Sequence, residues 1–194
     1  MTHLYTCTNQ TLMSTITETL NDIFAKALPD TGYFTTQYDE HWRSPCEIDQ
    51  QGELSHWRPT PQTESIDFRG LANAVEAPIH PDVIEYYSGY WSGSLEASAK
   101  EGPVSLILLW NPEDAERLIE NLVGHLFGKR QSKLPFTTFF ATTDPESEYF
   151  LSIDNASGKV LLEEPGRPPI KEVASDLNSF LQRLQPDARA PGIF

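Results

Sequence analysis

The 194-residue chain is poor in cations, nearly lacks cysteine and has no long apolar run, and each shortage closes off a class of function. A membrane-spanning helix needs about 18 to 20 consecutive apolar residues, and no such stretch is present. The N-terminal MTHLYTCTNQTLM lacks a basic region followed by an apolar one and reads as no signal peptide. Contact with a membrane is therefore expected to be peripheral, without lipid insertion. Fourteen Lys and Arg stand against 28 Asp and Glu, a formal charge of −14. That surplus repels phosphate, so nucleic acid is excluded as a partner, and it disfavours an anionic lipid surface. A basic protein surface is what it attracts and steers.

The two cysteines, Cys7 and Cys46, have neither metal-pair spacing nor the look of a disulfide framework, and read as free thiols. Cys46 has no base beside it and acidic surroundings, so it is expected to be a buried structural thiol. The five histidines show no HExxH motif. His80 precedes Pro81 at a helix start and is expected to pack or cap. His125 flanks the polar face of a long helix and is expected in solvent. Gly89 and Gly93 lack the spacing of a phosphate loop. No catalytic residue, cofactor or metal is expected.

Patterned segments make up the rest. Leu12, Ile16, Leu20, Ile23, Phe24 and Ala27 recur at helical spacing. Thr15 with Glu18 has the capping-box pattern, although the periodicity places the helix start earlier. Pro29 and Gly32 end that helix. Periodicity fades over residues 33–64, where only short extended pieces at 46–48 and 54–57 are expected. Helices follow at 68–75 and from Pro81 towards Tyr87. An extended piece spans 90–97, a turn falls at Gly102–Pro103, and residues 104–110 read as a continuous apolar strand. Asn111 with Pro112 starts the clearest helix, whose apolar stripe is Ala115, Leu118, Ile119, Leu122, Val123, Leu126 and Phe127. Gly128 is placed to stop it, and GKRQSK (128–133) reads as a helix end plus a solvated basic connector. Strands are expected at 136–143, 149–154 and 159–163, the last two joined by a turn at 155–158. A final helix carries Val173, Leu177, Phe180, Leu181 and Leu184, and the tail from Pro186 reads as loose.

This order predicts one α+β domain without internal repeats: a largely antiparallel sheet of about five to six strands with helices packed against it. The crossover from 104–110 through the long helix to 136–143 would add one parallel pairing.

Several separated motifs, SPCEI (44–48), HWRPTP (56–61), FRGLANAVE (68–76), IHPDVIEYY (79–87) and NLVGHLFGKRQSKLPFTTFFATT (121–143), resemble the Syd family of SecY-interacting proteins. The resemblance covers residues 34–186 and implies a SUKH-superfamily α+β fold. It also implies an acidic, non-enzymatic protein on the cytoplasmic side of the inner membrane. There it would bind the SecY subunit of the protein-conducting channel, as a negative regulator or quality-control factor of translocation. Other members of that superfamily look like antidotes to secreted toxins, so an immunity protein against a basic toxin is the alternative.

The expected contact face lies between residues 82 and 114. Asp82, Glu85, Glu96, Glu113 and Asp114 would supply carboxylates. Tyr86, Tyr90 and Trp91 would supply aromatic anchors of the kind that dominate binding hot spots. Such a face would receive the Lys- and Arg-rich loops that membrane proteins carry on their inner side. A second acidic cluster is formed by Asp144, Glu146 and Glu148.

Overall fold

The computed structural model describes residues 15–144 and 146–187. Leu12, Cys7 and the tail beyond Asp187 lie outside the described residues. The first helix, α1 (Ile16–Ala27), begins at Thr15 rather than earlier. Thr15 is extended (φ −74°, ψ 165°), and its hydroxyl accepts from Glu18 N at 3.1 Å while Glu18 Oε2 accepts from Thr15 N at 2.9 Å. Both exchanged bonds satisfy backbone donors that a helix start leaves open, typically worth about 1 kcal/mol for the cap, so the capping box sets the boundary. Ile16, Leu20, Ile23 and Phe24 form its buried stripe.

Strands β1 (Phe34–Gln37), β2 (Glu47–Gln51) and β3 (Leu54–Trp57) make a three-stranded antiparallel sheet in the order β1-β3-β2. β1 was not foreseen, because Phe-Thr-Thr-Gln contains a single apolar residue and no alternation. The two-residue β4 (Thr60–Pro61) precedes α2 (Arg69–Val75) and α3 (Pro81–Tyr87). His80 caps α3 as expected, its Nδ1 accepting from Asp82 N at 3.2 Å. The expected extended piece at 90–97 divides into β5 (Tyr90–Trp91), which pairs with β4, and β6 (Leu95–Ala99). β7 (Gly102–Leu106) leaves the ladder short of Trp110, since the chain then turns to Trp91 in a parallel bridge, with Ser92 N donating to Leu109 O.

The long helix α4 (Pro112–Gln131) starts at the Asn111 cap and runs past Gly128. Its stop is a Schellman turn one residue type away from expectation. Lys133 takes the left-handed conformation (φ 57°), Leu134 N donates to Lys129 O at 2.9 Å, and Lys133 N donates to Arg130 O at 3.0 Å. Then come β8 (Thr137–Thr142), β9 (Phe150–Asp154) and β10 (Val160–Glu163), with the 155–158 turn as expected. Where one last helix was expected, the structure has β11 (Lys171–Ala174), a short α5 (Leu177–Leu181) and β12 (Gln185–Pro186). Asp176, extended and accepting from Ser179 N at 2.7 Å, caps α5 and so ends the strand geometry before it.

These strands form a seven-stranded sheet, β11-β10-β9-β8-β7-β6-β12, antiparallel at every pair. The parallel crossover does not occur. β7 meets only the C-terminal end of β8, through Ser105↔Thr142 and Leu106↔Ala141 in antiparallel register. The fold is therefore α+β with one more strand than the upper expectation, and its core is one connected cluster.

Two residues expected at the surface are not there. Lys129, from the supposedly solvated basic connector, is buried and paired with the buried Glu163, which also accepts from Ser152 Oγ. His125 is half-buried, with Nε2 3.0 Å from Thr137 Oγ1. Conversely Phe127, assigned to the apolar stripe, is 61% exposed. The buried line runs Leu118, Leu122, Leu126, Lys129, and Phe127 lies one residue, about 100°, off it.

Removing one partner of the Lys129–Glu163 pair strands a charge in the core. Glu163→Leu is expected to cost about 3–5 kcal/mol, and Lys129→Met combined with Glu163→Leu clearly less. Urea denaturation of the three proteins checks this, and equal losses would refute it. Burial first, then the Lys129 charge, hold the His125 pKa below its ordinary 6.5. As pH falls below 6.5 the unfolded chain therefore gains a proton that the folded one resists, and stability present above that pH is lost as pH drops through the lowered pKa. The thermal midpoint should fall between about pH 7 and about pH 5, and His125→Gln should flatten that fall.

Candidate functional site

A cleft of about 540 Å³ opens between the three-stranded sheet, the Ser92–Gly93–Ser94 link and the first turn of α4. Three of the four tryptophans of the chain, Trp42, Trp57 and Trp110, line it together with Tyr38. The carboxylates in its lining are Asp39 and Asp114, and no Lys or Arg is among the lining residues.

The walls are fastened by local chemistry. Trp110 Nε1 donates to Trp42 O at 2.9 Å, and Asn111 Nδ2 donates to Arg43 O at 2.9 Å. Ser44 Oγ donates to Trp110 O and accepts from Cys46 N, so the SPC element pins the chain before β2 to the start of α4. Cys46 is buried as expected, and burial pushes its thiol up to about 12, which leaves no thiolate for chemistry at neutral pH. Burial would raise the Glu47 carboxyl too, but bonds from Arg43, Ser55 and Ser44 N outweigh it and hold its pKa low. That ionised carboxylate ties β2, β3 and the 43–44 segment together. Gly93 lies flat against Trp57. A Cβ there would come within 2.8 Å of the indole ring, so only glycine lets the link approach.

The rim already holds cations on its aromatic faces. The Arg117 guanidinium sits 4.2 Å from the Trp42 ring centre and that of Arg43 4.9 Å from Tyr38. Asp114 is oriented by accepting from Trp110 N at 3.0 Å, and Asp39 by accepting from His41 N at 2.8 Å. Trp57 is 1% exposed, and its buried indole Nε1–H has no hydrogen-bond partner among the described residues. A second hollow of about 310 Å³ lies on the other side of the α4 start, lined by Trp91, Glu64, Asp67 and Glu116 among others. The exposed Glu113, Glu116 and Glu120 stand on the helix turns between and beside these hollows.

The residues expected to form one face divide among several places. Asp114 lines the cleft, Glu113 is exposed beside it, and half-buried Trp91 lines the second hollow. Asp82 and Glu85 belong instead to the junction of α3 with α1 and α5. Glu85 accepts from Thr17 N at 3.0 Å, while burial pushes the Asp82 carboxyl up against the pull of His80 and Leu177 N. Glu96 accepts from Ser105 Oγ at 2.7 Å on the sheet. Tyr86 and Tyr90 are 1% and 8% exposed and cannot anchor a partner. Their rings fill the core at the α3 end, where Tyr86 packs edge-on to Phe140 and Tyr90 edge-on to Phe24. Sequence reading missed Tyr38, Asp39, Trp42 and Trp57, which lie outside the 82–114 window. The scarcity of tryptophan was the usable signal, because all four Trp residues border the two hollows.

Residues 13–186 match the family model described as Syd protein (SUKH-2). The chain is 36% identical to protein Syd of Pseudoalteromonas atlantica over 185 residues, which is 90% of this chain and 98% of that one. It is 33% identical to protein Syd of Colwellia psychrerythraea, covering 92% of this chain and 94% of that one. With protein Syd of Tolumonas auensis it shares 41% identity over 78% of its own length and 77% of the other. These matches span the elements that build the cleft as well as the sheet behind it, and the chain belongs to the Syd family.

Proposed function

We propose that this protein binds SecY, the channel subunit of the inner-membrane translocation machinery, from the cytoplasmic side. On this reading it acts as a negative regulator or quality-control factor of translocation. The cleft is the contact site, and Lys or Arg side chains from the cytoplasmic loops of SecY enter it. One observation carries this reading: the cleft has carboxylates and tryptophans in its lining and no Lys or Arg among the lining residues, with Arg117 and Arg43 at its rim. A guanidinium or ammonium group would meet Asp39 or Asp114 together with an aromatic face, in the way the Arg117 guanidinium already sits over Trp42. The formal charge of −14 adds long-range steering towards a basic surface. No helix among the described residues is long and apolar enough to cross a membrane, which fits attachment through a partner. On this reading the work of the site is binding, and Cys46, beside the Ser44 that fastens its wall, is a buried thiol.

Copurification with SecY from detergent-solubilised inner membranes tests the partner directly. Retention should weaken steeply between about 50 mM and about 500 mM salt, because the contact is between exposed opposite charges. Asp39→Asn combined with Glu40→Lys, at the exposed residue that follows Asp39 in the chain, should slow association about tenfold without changing the thermal midpoint. Glu146→Lys combined with Glu148→Lys, in the other acidic loop, should leave it unchanged. Salt-independent retention, or the reverse ranking of the two variants, would move the site away from this cleft.

A further inference from the structure

The cleft wall formed by β1 is the edge of a strand and not its face. Residues Thr35, Thr36, Gln37, Tyr38 and Asp39 line the hollow consecutively. A strand that shows a cavity one face contributes alternate residues, because successive side chains point opposite ways. An unbroken run places the main chain itself along the space. β1 is also the outer strand in the order β1-β3-β2, so one of its two rows of backbone groups has no strand beside it.

The phase of the ladder says which groups those are. Tyr38 N donates to Glu53 O at 2.8 Å, and the register continues Thr36↔Ser55 and Phe34↔Trp57. In an antiparallel ladder, bonded pairs alternate with unbonded ones, so residues 34, 36 and 38 turn their N–H and C=O towards β3. Thr35 and Gln37 turn theirs towards the cleft, and both residues are exposed. Free edges are normally blunted by lysine, proline or a covering element. β1, Phe-Thr-Thr-Gln, has no charge and no proline, and no described strand covers its outer edge.

We infer that β1 is a docking strand, and that the partner's basic segment enters the cleft extended and adds to it as a fourth strand of the small sheet. Its main chain bonds to Thr35 and Gln37, and its Lys or Arg side chains reach Asp39 and Asp114. This deepens the proposed function and rests on it. The occupant is a cationic peptide segment because Asp39 and Asp114 line the cleft with no Lys or Arg among the lining residues. The binding energy comes from main-chain bonds and the selectivity from side-chain pockets, as in other strand-addition modes.

The test uses the full chain and synthetic peptides of about ten residues copied from the Lys- and Arg-rich cytoplasmic loops of SecY. Amide exchange is followed by NMR. At saturation with a binding peptide, the Thr35 and Gln37 amides should exchange at least about tenfold more slowly, and Thr36, already bonded to β3, should not change. N-methylation of alternate backbone amides in that peptide should leave affinity intact in one phase and lower it about tenfold or more in the other. Binding that protects neither residue, with both N-methylated phases equal to the parent, overturns strand addition and leaves the SecY reading standing. Retention of SecY with no loop peptide bound also overturns strand addition alone. Failure to retain SecY overturns the function itself. If both amides are already protected without peptide, the edge is taken by another segment of the same chain when protection is independent of protein concentration. It is taken by a second copy when protection rises with concentration. Either result overturns the inference.

Discussion

The side chain of Asn111, only 1% exposed, fastens the small sheet to the rest of the molecule. Its Oδ1 accepts from Asp114 N at 2.8 Å and starts α4, while its Nδ2 donates to Arg43 O at 2.9 Å and holds the segment that leads into β2. Trp110 and Ser44 reinforce the same junction from either side. If the cap alone were needed, serine or aspartate would serve, but neither can also donate from an amide nitrogen. The cleft exists because that junction sets the distance between β1 and the first turn of α4. Gly93 then lets the remaining wall settle against Trp57.

The molecule keeps two kinds of charge apart. In the core, Lys129 and Glu163 are paired and served by Ser152, so their charges act on the position of α4 over the sheet and not on partners. Around the start of α4, carboxylates face solvent next to aromatic surface. An exposed acid on its own is a weak contact, since water and salt screen it. Acids beside an indole wall are a stronger attractant, because a long cationic side chain can bury its stem while its charged end stays near the carboxylate. The site therefore owes its character less to the number of acids than to where the tryptophans hold them.

How much of this was legible in the sequence differs by element. α4 could be read almost entirely, because a cap, a proline and a repeated apolar spacing all report on local structure. Its end could not, since Lys133 adopts the left-handed turn in place of the glycine available at 128. The α3 region was placed correctly and its tyrosines misjudged: spacing shows that Tyr86 and Tyr90 share a neighbourhood with acids, but not that Phe140 and Phe24 close over them. β1 was missed because its pairing partner lies about twenty residues along the chain and Phe-Thr-Thr-Gln carries little alternation, and β11, paired with the neighbouring β10, because Lys-Glu-Val-Ala carries none.

The sequence by itself determined the negative charge, the capped helices, the antiparallel α+β class and, through separated motifs, the family. Those properties follow from composition and from residues close together in the chain. The cleft was decided only by the tertiary structure. It brings residues 35–39, 42, 57, 92–94 and 110–114 around one hollow, and the contacts that hold them span tens of positions in sequence. No local preference encodes such a meeting. It arises when burial of one face of each element leaves only one arrangement in which Asn111, Ser44 and Gly93 can all make their contacts.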